Sequence, residues 1–300
     1  MTPSSRWTLK GQSFIVTGGS KGIGKAVVKS LVEHEASTVI FCSRSELSLP
    51  EYLESLGVGD SEVVKHVICD VSTDEGRKAL VKGAQNILGG SKLHGLINNV
   101  GINVRKPIME QTVEEYHAIR TTNVDVAYFL CRECSDLFDP EGASIVNVSS
   151  AAGVQSSGTG ASYGMTKAAL NHFTRILACE WASRKIRVNA VTPWMTVSEI
   201  ATFERDLAGN KYRIYLISHN VSLIFHILLI DDTNAERGRG QESITTRQGR
   251  RMDAHGTVGE CRRSCRSSCL FVLASIELHH RTSSRNRRWF DGPGIQWPNM

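Results

Sequence analysis

Apolar runs and amphipathic stretches alternate along the first two-thirds of the chain. "SFIVTG" at 13–18 is a short apolar run closed by glycine. "GIGKAVVKSLVEHEA" after it places apolar residues at Ile23, Val27, Val28, Leu31 and Val32, which predicts a strand followed by a helix. Further strands are expected at "STVIFCSR" (37–44), "VVKHVICDV" (63–71), "LHGLINNVG" (93–101), "ASIVNVSS" (143–150) and "KIRVNAVTP" (185–193). Helical segments lie between them, the longest being "ASYGMTKAALNHFTRILACEWASR" at 161–184. Strands that are apolar throughout are buried on both faces, and strands joined by helices form a parallel sheet covered on each side. The expected fold is α/β, a single-domain doubly wound parallel sheet of Rossmann type with strand order 3-2-1-4-5-6.

The pattern fails past Thr196. "NKYRIYLISHNVSLIFHILLIDD" (210–232) has no clear period, and "AERGRGQESITTRQGRR" (235–251) is polar and rich in breakers. Composition shifts at the same place: residues 1–196 carry 20 Lys+Arg against 19 Asp+Glu, while residues 197–300 carry 15 against 11, of which 14 are Arg. The expected organisation is therefore a 7–196 core and an atypical 197–300 tail, poorly ordered and lacking the last edge strand of such a sheet.

The net charge of +5 and the 41% hydrophobic content suit a globular domain with a real core. Cys42, Cys69, Cys131, Cys134 and Cys179 sit in apolar contexts and read as core thiols of a reducing compartment. The N-terminal residues show no apolar signal core, so a cytoplasmic location is expected. "VSLIFHILLI" is too short to span a bilayer, and no membrane association is expected.

The first strand runs into Thr17-Gly18-Gly19-Ser20-Lys21-Gly22-Ile23-Gly24. Glycines there permit a tight turn and let a dinucleotide pyrophosphate approach the backbone, while the following helix offers its free N–H groups. Enzymes that use NAD place an acidic residue at the end of the second strand for the ribose 2′-hydroxyl. This chain has Cys42-Ser43-Arg44 there, and Lys21 in the loop, so a 2′-phosphate is favoured and NADP(H) is the expected cofactor. Tyr163 and Lys167 are four apart in a helical segment and share a face. A nearby ammonium favours the phenolate and makes tyrosine a usable acid–base group; Ser150, at the end of the fifth strand, can bond the same oxygen.

Taken together, residues 7–196 resemble the short-chain dehydrogenase/reductase family, and in particular its tropinone-reductase-like branch. The resemblance rests on T-G-x-x-x-G-I-G at 17–24, Asp70-Val71, Asn98-Asn99-Val100-Gly101, Asn123, Ser150, Tyr163 with Lys167, and Pro193. Softer marks are Trp7, "CEWA" at 179–182 and "PWMT" at 193–196. Val100 departs from the family's usual alanine. The resemblance implies an NADPH-dependent oxidoreductase that reduces a small ketone or oxidises the alcohol. Tyr163 would donate the proton, Lys167 would bind the nicotinamide ribose and lower the Tyr163 pKa, Ser150 would orient the carbonyl, and Asn123 would serve the proton path to Lys167. The residues expected to hold the cofactor are Thr17, Gly18, Ser20, Lys21, Gly22, Ile23 and Gly24 in the loop, then Ser43, Arg44, Asp70, Val71, Asn99, Val100 and Gly101. Tyr163, Lys167, Pro193 and Thr196 complete the set. The family also implies pairing of copies through helices near 110–138 and 161–183. Nucleotide-sugar epimerases share Y-x-x-x-K, but they space the glycines differently and need a C-terminal substrate domain.

The family's own ending is not visible in residues 197–300. Residues 275–292, "SIELHHRTSSRNRRWFDG", can be written in codons that read ASSYITGQVVATDGGLTV when displaced by one nucleotide, which is that ending. The same displacement of "CRRSCRSSCLFVLA" (261–274) gives AEEVAAAVAFLCLP. The alternative expectation is an impaired or inactive product of an aberrantly spliced or frame-shifted reductase gene. Residues 197–251 would include translated intron, and the chain could at most bind cofactor or pair with intact subunits. Cys261, Cys265 and Cys269 with His279 and His280 do not follow zinc-finger spacing, so no metal is expected. The arginines of 281–288 lack interleaved aromatics, and no nucleic-acid partner is expected.

Overall fold

The computed structural model describes residues 8–59 and 62–193, together with the backbone of 271–272. Its sheet is parallel throughout, in the order β3-β2-β1-β4-β5-β6-β7. The strands are β1 (Ser13–Thr17), β2 (Thr38–Ser43), β3 (Val64–Ile68), β4 (Gly95–Asn98), β5 (Ala143–Val148), β6 (Ile186–Val191) and β7 (Phe271–Val272). Every residue of β1, β4 and β5 is buried, as the unbroken apolar runs require of strands covered on both faces.

Side chains alternate between two cores. Phe14 and Val16 of β1 and Phe41 of β2 point to one face, packed with Val27, Val28 and Leu31 of α1 (Gly22–Glu33) and with Leu53 and Leu56 of α2 (Leu49–Leu56). Ile15, Ile40, Leu96 and Ile145 point to the other, with Leu80 and Ala84 of α3 (Asp74–Leu88) and Leu177 and Ala178 of α6 (Ala161–Trp181). Local chemistry sets the helix ends: Thr73 accepts from Gly76 N–H to cap α3, and Thr112 with Glu115 forms a reciprocal capping box on α4 (Val113–Arg120). Four of the five described cysteines are buried, Cys179 is exposed, and all five are free.

Two features go beyond the sequence pattern. Between α4 and α5 (Val126–Glu133) the helix passes through a π turn, Thr121–Asp125, which contains Asn123. Beyond β6, where no strand is expected from the sequence, Phe271 and Val272 pair with Ala190 and Val191. They cover the C-terminal end of β6 only, a contact that two residues suffice to make. Trp7, the Trp194–Met195–Thr196 run, the rest of 197–300 with its cysteine, histidine and arginine clusters, and the frame-displaced segments lie outside the described residues. No helix among the described residues is long and apolar enough to cross a membrane.

Candidate active site

The chain winds outward from β1 in both directions, to β2 and β3 on one side and to β4, β5 and β6 on the other. This creates a crevice at the C-terminal ends of β1 and β4, where doubly wound sheets take their ligands. Thr17 stitches the crevice together. Its hydroxyl donates to Ile97 O (3.3 Å) and accepts from Asn99 N–H (2.9 Å) and Val100 N–H (3.1 Å). Asn99 returns the link through Nδ2, which donates to Thr17 O (2.9 Å) and Gly18 O (3.2 Å). Gly18 has φ +67, and a Cβ on Gly24 would stand 2.2 Å from Gly18 O. The first position needs a left-handed backbone, and the second lets α1 start directly over the loop. Its partner residues Ser20, Lys21, Gly22 and Ile23 fill the turn between them, with Lys21 exposed.

A second group of polar residues lies beyond β2. Ser43 Oγ donates to Ser45 O (2.9 Å), so its lone pairs remain for His66 Nε2 at 2.7 Å, and that nitrogen is the donor. His66 stacks on Phe41 at 4.6 Å, Phe41 stacks on Tyr52 at 4.7 Å, and Tyr52 OH donates to Gly19 O at 2.7 Å. This stack ties β3, β2 and α2 to the glycine loop. Burial pushes the Tyr52 phenol up, so it stays a donor, and burial pushes His66 down against the opposing charge of Glu46. Arg44 is exposed beside Ser43. Asp70 Oδ1 accepts from Ser72 N–H (3.0 Å) and Ser72 Oγ (2.7 Å), which turns the chain after β3, and Val71 is buried next to it.

The other end of the crevice gathers the polar residues of α6. The hydroxyl of Ser150 acts on the phenol of Tyr163. Ser150 Oγ already accepts from Ala152 N–H (3.2 Å), which leaves its one hydrogen for the phenol oxygen. Lys167 is 3% exposed; Nζ donates to Val148 O (2.8 Å) and stands 5.8 Å from the Tyr163 ring centroid. Desolvation lowers the Lys167 ammonium to about 8. Burial raises the Tyr163 phenol, while the Ser150 hydrogen bond and the charge of Arg105 pull it down.

Asn123 holds the floor. Its Oδ1 accepts from Ile102 N–H (2.8 Å), and Nδ2 donates to Ile102 O (2.9 Å) and to Thr166 Oγ1 (3.1 Å). A Cβ on Gly101 would stand 3.3 Å from both Asn123 Oδ1 and Lys167 Nζ, so these groups surround one small space. The π turn aims Asn123 at this backbone; such turns recur at functional sites. Pro193 O accepts from Ala151 N–H (3.0 Å), which brings the end of β6 against the Ser150 turn. Thr196 lies outside the described residues, and the other expected residues gather in the two ends of one crevice. Arg105, Tyr52 and His66 are additions for which the sequence offers no periodicity or motif.

The model of the short-chain dehydrogenase family matches residues 12–207. Two tropinone reductase homologs of Arabidopsis thaliana are 44% identical over 195 residues (65% of this chain, 73% of that protein) and 43% identical over 197 residues (65% and 74%). A solved structure titled as the RhlG/NADP active-site complex of Pseudomonas aeruginosa is similar with TM-score 0.66 at 23% identity, covering 75% of this chain and 92% of that one. The sequence matches establish kinship and the structural match the Rossmann-type fold: this chain belongs to the short-chain dehydrogenase/reductase family of oxidoreductases, which use NAD(P)(H), and is tropinone-reductase-like.

Proposed function

We propose that the chain is an NADPH-dependent reductase of a small ketone, working also as the alcohol dehydrogenase in reverse, with 7–196 as its cofactor-binding unit. The observation that carries this reading is the Ser150–Tyr163–Lys167 grouping at one end of the crevice, with Lys167 buried and its Nζ 5.8 Å from the Tyr163 ring centroid. The glycine loop fits a dinucleotide: glycine at 18 and 24 lets the loop, the Asn99 strand end and the start of α1 pack closely, and the α1 N-terminus has no side-chain cap to occupy its N–H groups. When bound, NADPH supplies the hydride.

The chain's own residues do the rest. Ser150 Oγ holds the substrate carbonyl oxygen beside the Tyr163 phenol, which gives it a proton. Lys167, when protonated, stabilises the phenolate that results. Asn123 keeps Lys167 and the Gly101 backbone in register, and the loop around it supplies the path by which the proton is replaced. At the other end Arg44, Ser43 and Lys21 take the 2′-phosphate. The remaining cofactor contacts are Thr17, Asp70, Val71, Asn99 and Val100 along the crevice and Pro193 at its nicotinamide end, with Thr196 added from the sequence alone. We place the protein in the cytoplasm and pair copies through α4, α5 and α6, whose exposed Tyr128, Met165 and Ile176 suit an interface.

The test is NADPH oxidation by the purified full chain with a panel of small ketones, alongside Tyr163→Phe. Turnover that is lost by at least about 10²-fold in the variant, with NADPH affinity kept, is the expected result. Equal turnover by both would sink the assignment. A second reading, a catalytically impaired chain, rests on the displaced reading frame of residues 261–292. It predicts no turnover until residues 252–300 are replaced by their frame-displaced counterpart.

A further inference from the structure

Arg105 is a cation at the mouth of this site without a partner among the described residues. The loop that carries it, between β4 and α4, is pinned on either side. Asn123 bonds both backbone groups of Ile102, Asn103 Nδ2 donates to Thr159 O at 3.0 Å, and Lys106 is paired with Glu115 at 2.6 Å. The neighbours of Arg105 lie across the start of α6: Val104 O and Lys106 O would stand 3.6 and 3.5 Å from a Cβ on Gly160, three residues before Tyr163. The guanidinium is therefore carried to the catalytic end of the crevice on a fixed backbone, and its charge is felt by the Tyr163 phenol. It is exposed, and among the described residues it makes no hydrogen bond or ion pair. The adjacent cation, Lys106, is already spent on Glu115.

The surroundings limit what such a cation can serve. The cofactor phosphates belong at the glycine loop and beyond β2, at the far end of the crevice. The turn that begins at Ser150 exposes Val154, and the Arg105 loop exposes Ile108. A ligand with an apolar chain, a carbonyl at Ser150 and Tyr163 and a negative charge at Arg105 matches all three. We infer that Arg105 is a specificity-determining residue that selects carbonyl substrates bearing a carboxylate or similar anion on a short apolar chain. This rests on the reductase reading for the position of the carbonyl. Arginine suits the task, since its charge does not titrate and its planar fork takes a carboxylate through two parallel bonds.

Isothermal titration calorimetry on the full chain with NADP⁺ tests the inference. The probes are 4-oxopentanoate, 5-oxohexanoate and 6-oxoheptanoate, each beside its methyl ester. At least one acid should bind about tenfold more tightly than its ester at low salt, as a charge-assisted bidentate contact implies. Arg105→Gln should collapse that ratio toward one, Arg105→Lys should retain part of it, and added salt should shrink it. Equal affinity of acid and ester in the wild type, including no binding of either, overturns the inference, as does a preference that survives Arg105→Gln. Failure of NADP⁺ itself to bind, read in the same instrument, strikes the reductase reading instead, and the acid–ester ratio is then measured on the free chain.

Discussion

Replacing Lys167 with methionine removes a charge from the interior, and its effect on stability should depend on pH in a defined way. The ammonium is 3% exposed, and desolvation brings it from 10.5 to about 8 in the folded chain. Below pH 8 both folded and unfolded chains hold this proton, so the whole penalty of burying it is present. Between about 8 and 10.5 the unfolded chain holds the proton and the folded chain does not, so wild-type stability rises with pH. The shift corresponds to about 3 kcal/mol at 1.36 kcal/mol per pH unit. Methionine also leaves Val148 O without the 2.8 Å bond it now accepts, at a cost of about 1–3 kcal/mol that does not vary with pH. The sign of the net effect at pH 7 is therefore a contest, but its pH dependence is not. Urea unfolding of both proteins from pH 7 to 10.5, followed by tryptophan fluorescence, should show the variant losing about 3 kcal/mol relative to wild type across that range. Other titrating groups cancel in the difference. A stability difference that stays constant over the range would refute the reasoning that a buried charge is held at this position.

Further outcomes follow from the same geometry. The rate of ketone reduction should fall above about pH 8, where Lys167 loses the proton that stabilises the Tyr163 phenolate, and a kcat/KM profile checks this. Arg44→Asp should reverse the preference between NADPH and NADH, weakening NADPH by at least about tenfold (~1.4 kcal/mol) in fluorescence titrations. Asn123→Ala leaves both backbone groups of Ile102 and Thr166 Oγ1 without their partner, so urea unfolding should show a loss of about 2–4 kcal/mol.

Much of the architecture was legible because the chemistry is local. Strands buried on both faces must be apolar throughout, so β1, β2, β4, β5 and β6 stand within a few residues of the runs that announce them. The glycine loop could be read because its requirements, a left-handed Gly18 and a side-chain-free Gly24, are requirements on residue type. Tyr163 and Lys167 could be paired because a helix puts residues four apart on one face. Arg105 could not be found this way: its approach to Tyr163 depends on how the loop after β4 crosses Gly160, 55 residues further on, and no periodicity records that path. The Tyr52–Phe41–His66 stack is hidden for the same reason, since it joins three elements. The π turn at 121–125 inserts a wider turn into an otherwise ordinary helical pattern, and β7 is two residues within an Arg-, Ser- and Cys-rich stretch. Asn123 was legible as a residue, whereas the backbone geometry that makes it useful was not.

The most direct test of the account is thermal unfolding of the purified full chain alone, with NADPH and with NADH. The account predicts one cooperative transition raised by NADPH and left in place by NADH, by about 2.7 kcal/mol of added stability at a hundredfold excess over Kd. A transition indifferent to both cofactors, or raised equally by the two, would contradict a crevice built to hold a 2′-phosphate beside Ser43 and Arg44.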